Sequence, residues 1–301
     1  MNNKYLDALN RYRTVYKNWF SVLMHMTLIG NRNIIKAKLR NGNVKLMNAK
    51  TISYTSLGFT NVICDESDKS VKFEYRGKTL KFFTENNNGA LDWVFSKESY
   101  NELNVRDKVV IDIGANIGDS SIYFALNGAK KVIAFEPFLN SFDLLVKNID
   151  VNDLKDKIIP VNAGVGGNRT IVKIESNKDG DASSEIRVDR TGDIELQIFD
   201  LQTLLETFNI NEAIMKINCE GCEYDTFLNA SCESLRKFEF VHIEYHYGKD
   251  NLLQKLEKCG FKFSSTTPKK VIDKQRQNPV MNLGYIYAAR NDNLDYHLSN
   301  K

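Results

Sequence analysis

The chain has 301 residues, 42% hydrophobic and 26% charged, an ordinary balance for a globular protein and enough for one large domain or a domain with an extension. Four prolines and no Pro-, Ser- or Gly-rich tract exclude a disordered linker, and no fixed-period repeat occurs. The formal charge of +3 is uneven, because residues 1–60 hold ten Lys/Arg against Asp7 alone, a formal +9, which leaves −6 on the remainder. A basic segment suits nucleic acid, anionic lipid or an acidic partner, but a solvated lysine-rich surface explains it equally simply and is the reading adopted.

The first thirty residues read as helix. Tyr5, Leu9, Tyr12, Tyr16, Trp19, Leu23 and Met26 recur in steps of four and three, which makes one stripe. The stripe is expected to pack on the protein's own body. Helix pairing in an oligomer, or peripheral contact of this basic helix with a membrane, are the alternatives. Its most apolar run, WFSVLMHMTLIG, falls short of the roughly 20 residues of a bilayer span, and no small-residue cleavage site follows, so no secretory leader is expected. Residues 34–85 read as short strands, with Val71–Phe83 alternating around an Arg76-Gly77 turn as a hairpin. Leu91–Leu103 reads as helix. An extension of residues 1–100 is thus expected before a main domain of residues 101–301.

From Lys108 the rhythm is strand, helix, strand. Val109–Ile113 is an apolar run interrupted only by Asp112, as in a parallel strand buried on both faces. Asp119 can cap the next helix and Gly128 can end it. Val132–Phe135 is a strand, Leu139–Ile149 a helix and Ile158–Ala163 a third strand. Ile171–Glu175, Ser184–Val188 and Glu195–Phe199 read as inserted strands before a helix at Leu201–Phe208. Ala213–Asn218 and Phe240–His246 are further core strands, Leu252–Cys259 is a helix ended by Gly260, and Phe261–Ser264 and Leu283–Ala289 are late strands. The pattern predicts a parallel sheet closed by a hairpin-like end.

The turn after the first core strand, in VVIDIGANIGDSS, departs from a dinucleotide fingerprint. G-x-G-x-x-G counted from Gly114 needs glycine at 116 and 119, where the chain has Asn116 and Asp119. Asp119 puts a carboxylate where a phosphate would sit. Gly118 and the spacing D-x-G-x-N-x-G from Asp112 suit a cofactor without a pyrophosphate. Glu136, 22 residues after Gly114, ends the second strand and can accept hydrogen bonds from ribose hydroxyls. S-adenosylmethionine, a nucleoside with a cationic sulfonium and amino-acid tail, fits these requirements.

VIDIGANIGDSS, IAFEP, VNAGVGG, MKINCEGCEYDTF and HIEYHYG, in this order, resemble the FkbM-type family of S-adenosylmethionine-dependent methyltransferases, from about residue 70 to LGYIYAARN. The resemblance implies an α/β class I methyltransferase fold, Rossmann-like, with a mostly parallel seven-stranded sheet and an antiparallel last strand. It implies S-adenosylmethionine as cofactor and methyl transfer to an oxygen of a sugar, glycan or other small metabolite. Asp112, Gly114, Asn116 and Gly118 match its first cofactor motif and Glu136 its ribose acid. Phe138 could pack on the adenine, Asn162 and Ala163 match the segment bordering it, and Lys216, Glu220 and Gly221 match a K-I-D-x-E-G motif. Asn218 replaces the usual aspartate there, which puts in doubt any metal or base function of that cofactor-side position.

A hydroxyl nucleophile benefits from a base. Glu244 and His246, two apart on a strand, share a face near its C-terminal end, with His242 deeper on the same face. His246 is one candidate base, oriented by Glu244, and Glu220 is another; strand-end polar residues satisfying each other is the alternative. The five cysteines are expected to be reduced thiols in a cytosolic setting, with Cys219-x-x-Cys222 packed rather than redox-active or zinc-binding, and no metal is expected. No nucleic-acid partner is expected, because neither an N/D-P-P-Y/F motif nor a Pro-Cys nucleophile is present. A nucleic-acid methyltransferase clamped by the basic segment, and a non-catalytic S-adenosylmethionine-binding assembly protein, stand as the competing readings.

Overall fold

A computed structural model of the chain describes residues 3–29, 34–85, 91–174, 194–273 and 279–290. They form two units, Met1–Glu98 and Ser99–Lys301.

In the first unit the expected single helix is broken into α1 (Asn3–Val15) and α2 (Trp19–Met24). The cause is a strand, β1 (Ile35–Lys38), which captures the chain between them: Tyr16 bridges Leu39, and the Lys17 amide donates to the Lys38 carbonyl at 2.7 Å. Strand β1 pairs with β2 (Val44–Met47). Tyr16, Val22, Ala37, Leu39, Met47 and Ile52 form a core on which Tyr12 and Trp19 pack, so this part of the apolar stripe faces its own unit. Helix α3 (Ala49–Ser56) lies in a stretch read as strands; the Asn48 side chain caps it by accepting from the Thr51 amide at 2.9 Å. Strands β3 (Thr60–Asp65), β4 (Ser70–Tyr75) and β5 (Lys78–Phe83) make an antiparallel sheet. The expected β4–β5 hairpin turns on Arg76 and Gly77, both at positive φ, +49° and +78°. The helix expected over Leu91–Leu103 is replaced by one π-helical turn, Asp92–Ser96, and further turns. There Phe95 is drawn edge-on against Phe73 and Tyr75, and this packing overrides helical spacing.

The second unit is built on β6 (Val109–Ile113), α4 (Asp119–Leu126), β7 (Lys131–Phe135), α5 (Leu139–Val151) and β8 (Ile158–Val161). Then come β9 (Gly164–Val165), β10 (Thr170–Ile174), β11 (Ile194–Phe199), α6 (Leu201–Thr207) and β12 (Ala213–Ile217). The chain continues through α7 (Cys222–Asn229), α8 (Cys232–Leu235), β13 (Phe238–Tyr245), α9 (Asp250–Lys258), β14 (Lys262–Ser265), β15 (Lys269–Ile272) and β16 (Val280–Ala289). The main sheet runs β14-β16-β13-β12-β6-β7-β8, with β15 added to β16. From β13 to β8 all pairs are parallel, and β16 is antiparallel to β13 and β14. This is the class I methyltransferase arrangement, with the last strand reversed. Strands β9, β10 and β11 form a separate small sheet; the strand expected at Ser184–Val188 lies outside the described residues.

The strand order reverses between β6 and β12, and such a switch point opens a crevice beyond the carboxyl ends of the strands. The loops after β6, β7, β12 and β13 all end there.

Candidate active site

Two loops meet at the switch point. Gly114 has φ +76°, and a Cβ built on it would lie 1.9 Å from the Asn218 carbonyl oxygen, so the loop after β6 can lie against the loop after β12 only because residue 114 has no side chain. Asp112 sits beneath this contact. It is wholly buried, its carboxylate accepts from the Ser120 and Ser121 hydroxyls, each at 2.6 Å, and it pairs with Lys216 at 2.9 Å. The Lys216 ammonium also donates to the Gly114 carbonyl at 2.8 Å. Asp112 and Lys216, paired in register across β6 and β12, therefore hold the loops together from below.

Four amides of the glycine loop are spent within the protein. Those of Gly114 and Ala115 donate to the Phe135 carbonyl, that of Gly118 to the Ala115 carbonyl, and that of Asn116 to Glu136 Oε2 at 2.8 Å. The other Glu136 oxygen accepts from the Phe138 amide at 3.0 Å. Burial raises the Glu136 carboxyl to about 7 despite these two donors. Asp119, buried at the first position of α4, is raised by burial to about 6, with Lys216 opposing. A pyrophosphate would need the amides and the helix end that these acids already serve. The Asn162 side chain donates to the carbonyls of Glu136 and Pro137 at 3.0 and 3.1 Å, which fixes the segment leading to Phe138, while Ala163 belongs to the core.

The loop after β12 carries a second cluster. Glu220 and Gly221 both have positive φ, +59° and +122°. This turn folds the chain back so that Cys219 and Cys222 meet in a disulfide around them, with Cα atoms 5.5 Å apart. Cys232 and Cys259 form a second disulfide that ties α8 to the end of α9. The expectation of reduced, merely packed thiols is thus corrected for four of the five cysteines; Cys64 alone is free and buried. A left-handed turn and a contact across 27 residues left no readable trace in the spacing.

His246 lies inside this cluster, almost fully buried. Its Nε2 is 3.1 Å from Glu220 Oε2 and its Nδ1 is 2.9 Å from Glu223 Oε1. A neutral ring could donate to only one of them. Burial favours the neutral ring, but the two carboxylates outweigh it and raise His246 to about 10, so it is held as an imidazolium at neutral pH and is not a free base. Glu244 does not orient the ring as expected: Glu223 does. Glu223, three residues after Glu220, is the functional acid that the motif spacing does not single out, and the tight turn brings both carboxylates to one ring. It is fully buried and also accepts from the Gly221 amide at 2.8 Å.

Glu244 projects from β13 beside Asn218, whose side-chain amide donates to Glu244 Oε2 at 2.8 Å. Burial raises the Glu244 carboxyl to about 7, with the His246 cation opposing and Glu220 adding to the shift. Asn218 thus serves as a donor that an aspartate could not supply, and its own Oδ1 is buried without a hydrogen-bond partner. His242, deeper on the same strand, is enclosed by the rings of Tyr100, Tyr285 and Tyr287 at centroid distances of 5.3, 5.6 and 4.9 Å.

The fold and this two-loop site define a class I methyltransferase. The sequence profile of the Methyltransferase FkbM domain matches residues 112–263, half of the chain, and the protein belongs to that family. The uncharacterized protein 158B of Sulfolobus islandicus rod-shaped virus 1 is 46% identical over 44 residues, 15% of this chain, and the matched stretch spans 28% of the viral protein. Among solved structures, Trm5 of Methanocaldococcus jannaschii in complex with adenosine is 17% identical, with 76% of this chain and 57% of that one covered at a TM-score of 0.41. TYW2 of M. jannaschii, in complex with AdoMet, is 16% identical, with 75% and 88% covered at 0.41. No helix among the described residues is long and apolar enough to cross a membrane.

Proposed function

We propose that this protein is an S-adenosylmethionine-dependent methyltransferase acting on a hydroxyl of a sugar, glycan or other small metabolite, with Glu244 as the base. The observation that carries the cofactor reading is the spent glycine loop. Its amides serve Phe135 and Glu136, and a carboxylate occupies the start of α4, which disfavours a phosphate and suits a nucleoside with a cationic tail. Gly114 and Gly118 leave room for the backbone turn, Glu136 offers acceptors to a ribose, and the unpartnered Asn218 Oδ1 offers one to a ligand donor. When bound, S-adenosylmethionine supplies an electrophilic methyl carbon on a positively charged sulfur.

The chain's own residues would then align the acceptor and take its proton. With the acceptor hydroxyl held toward that methyl group, Glu244 would take the hydroxyl proton as the oxygen is methylated. A carboxylate near 7 is well matched to this task, and Asn218 holds one of its oxygens in place. The His246 imidazolium, clamped by Glu220 and Glu223, contributes fixed positive charge beside the base.

The direct test is calorimetric titration with S-adenosylmethionine and S-adenosylhomocysteine, followed by radiolabelled methyl transfer to a panel of glycans and hydroxylated metabolites. Saturable binding of both and label on an acceptor oxygen are expected. No binding at millimolar cofactor would reject the reading; binding with label only on tRNA or DNA would reassign the acceptor.

A further inference from the structure

The paired strands β1 and β2 form a ribbon with two unlike faces. One face carries Ala37, Leu39 and Met47 into the core of the first unit. Residues directly opposite in an antiparallel pair share a face, and the register sets Lys36 against Leu46 and Lys38 against Val44. The outward face is thus a checkerboard of cations and aliphatic side chains. Leu46 is 74% exposed, Val44 51% and, just before β1, Ile34 is 68% exposed. The Asn18 side chain donates to the Lys36 carbonyl and accepts from the Lys38 amide, which seats the start of α2 along β1 two residues before Phe20, itself 60% exposed.

We propose that this outward face is a docking surface for an anionic lipid bilayer. Lysine amines reach phosphate and carboxylate headgroups while their stems and the aliphatic side chains enter the interfacial layer. The surrounding segment reinforces this, since residues 1–60 carry a formal +9. Nucleic acid fits less well, because a phosphate backbone gives Leu46, Val44 and Ile34 no apolar environment. A second copy on the same face would set Lys36 and Lys38 against their own equivalents, a like-charge contact. The helix stripe, the membrane contact considered from sequence, is partly committed to the core, whereas the ribbon face is open.

The test is co-sedimentation of the full chain with vesicles of phosphatidylcholine alone and of phosphatidylcholine with phosphatidylserine. Binding to the mixed vesicles, weakened by high salt, is expected. Leu46→Asp with Val44→Asp, and separately Lys36→Glu with Lys38→Glu, should each reduce it by on the order of tenfold or more while the circular dichroism spectrum stays unchanged. All four positions are solvent-facing, so two independent variants guard against misfolding. Failure of the parent protein to bind mixed vesicles, or unchanged binding by both folded variants, would overturn the proposal. So would tRNA or DNA displacing the protein from vesicles, or a dimer in light scattering that Leu46→Asp dissolves.

Discussion

His246 is bonded twice to one oxygen of Glu223: its backbone amide donates to Oε1 at 3.1 Å and its ring Nδ1 lies 2.9 Å from the same atom. The glutamate is on α7 and the histidine follows β13, so this single carboxylate ties a helix start to a strand end. Breaking a buried pair by removing one partner costs about 3–5 kcal/mol. Glu223→Ala should therefore lower the unfolding free energy by that order in urea titration. Nuclear magnetic resonance should also show the His246 ring titrating below its parent value of about 10.

Glu244→Gln should keep S-adenosylhomocysteine binding within about twofold and reduce kcat by about 10²–10⁴, the usual contribution of a positioned base. Asn218→Asp replaces a donor with a second acid beside Glu244, so the acid limb of the rate profile should move above the parent value near 7. A Glu244→Gln enzyme of parent-like kcat would remove Glu244 from the chemistry.

Two glycines at positive φ separate conformational cost from crowding. At Gly77 a Cβ meets nothing within 4 Å, so Gly77→Ala should cost only about 1 kcal/mol. At Gly114 the same change collides with Asn218 backbone and should cost several times more, of order 3 kcal/mol or above, with cofactor affinity lost in the soluble fraction. Paired thermal melts of the two variants check this.

The buried acids of the site give the free protein an unusual pH response. Glu136 and Glu244 rise from 4.5 to about 7 and Asp119 from 3.8 to about 6, so the folded state binds more protons than the unfolded one across that window. Their contribution is complete below the unfolded values and is lost as pH rises to about 7; His246, raised from 6.5 to about 10, extends the loss upward. Melting temperature without ligand should fall from about pH 5 to pH 8. A cationic ligand favours the ionised acids, so S-adenosylmethionine should release protons on binding and bind more tightly as pH rises, whereas S-adenosylhomocysteine, lacking the sulfonium, should show a weaker trend. Calorimetry in buffers of different ionisation enthalpy measures both.

The parallel strands were legible because burial on both faces writes them as apolar runs such as Ala213–Met215 or Val132–Phe135, and the Arg76-Gly77 hairpin because its turn demands two left-handed residues. What escaped depends on partners far along the chain. The break at Tyr16 is imposed by Leu39, and the turn at Asp92–Ser96 by an aromatic cluster. In the site, glycine spacing and the acid at 136 were readable as local pattern. The clamp on His246 was not, because nothing in HIEYHYG announces which of three nearby carboxylates will reach the ring.

The disulfide between Cys232 and Cys259 encloses β13 and α9 in a covalent ring. In the unfolded chain a ring of this length forfeits about 3–4 kcal/mol of conformational freedom on the chain-entropy account, and the ring includes the segment that carries Glu244 and His246. A protease that nicks the chain between these cysteines would leave both fragments joined, so gel analysis without reductant would report an intact protein, and only reduced samples would reveal the cut.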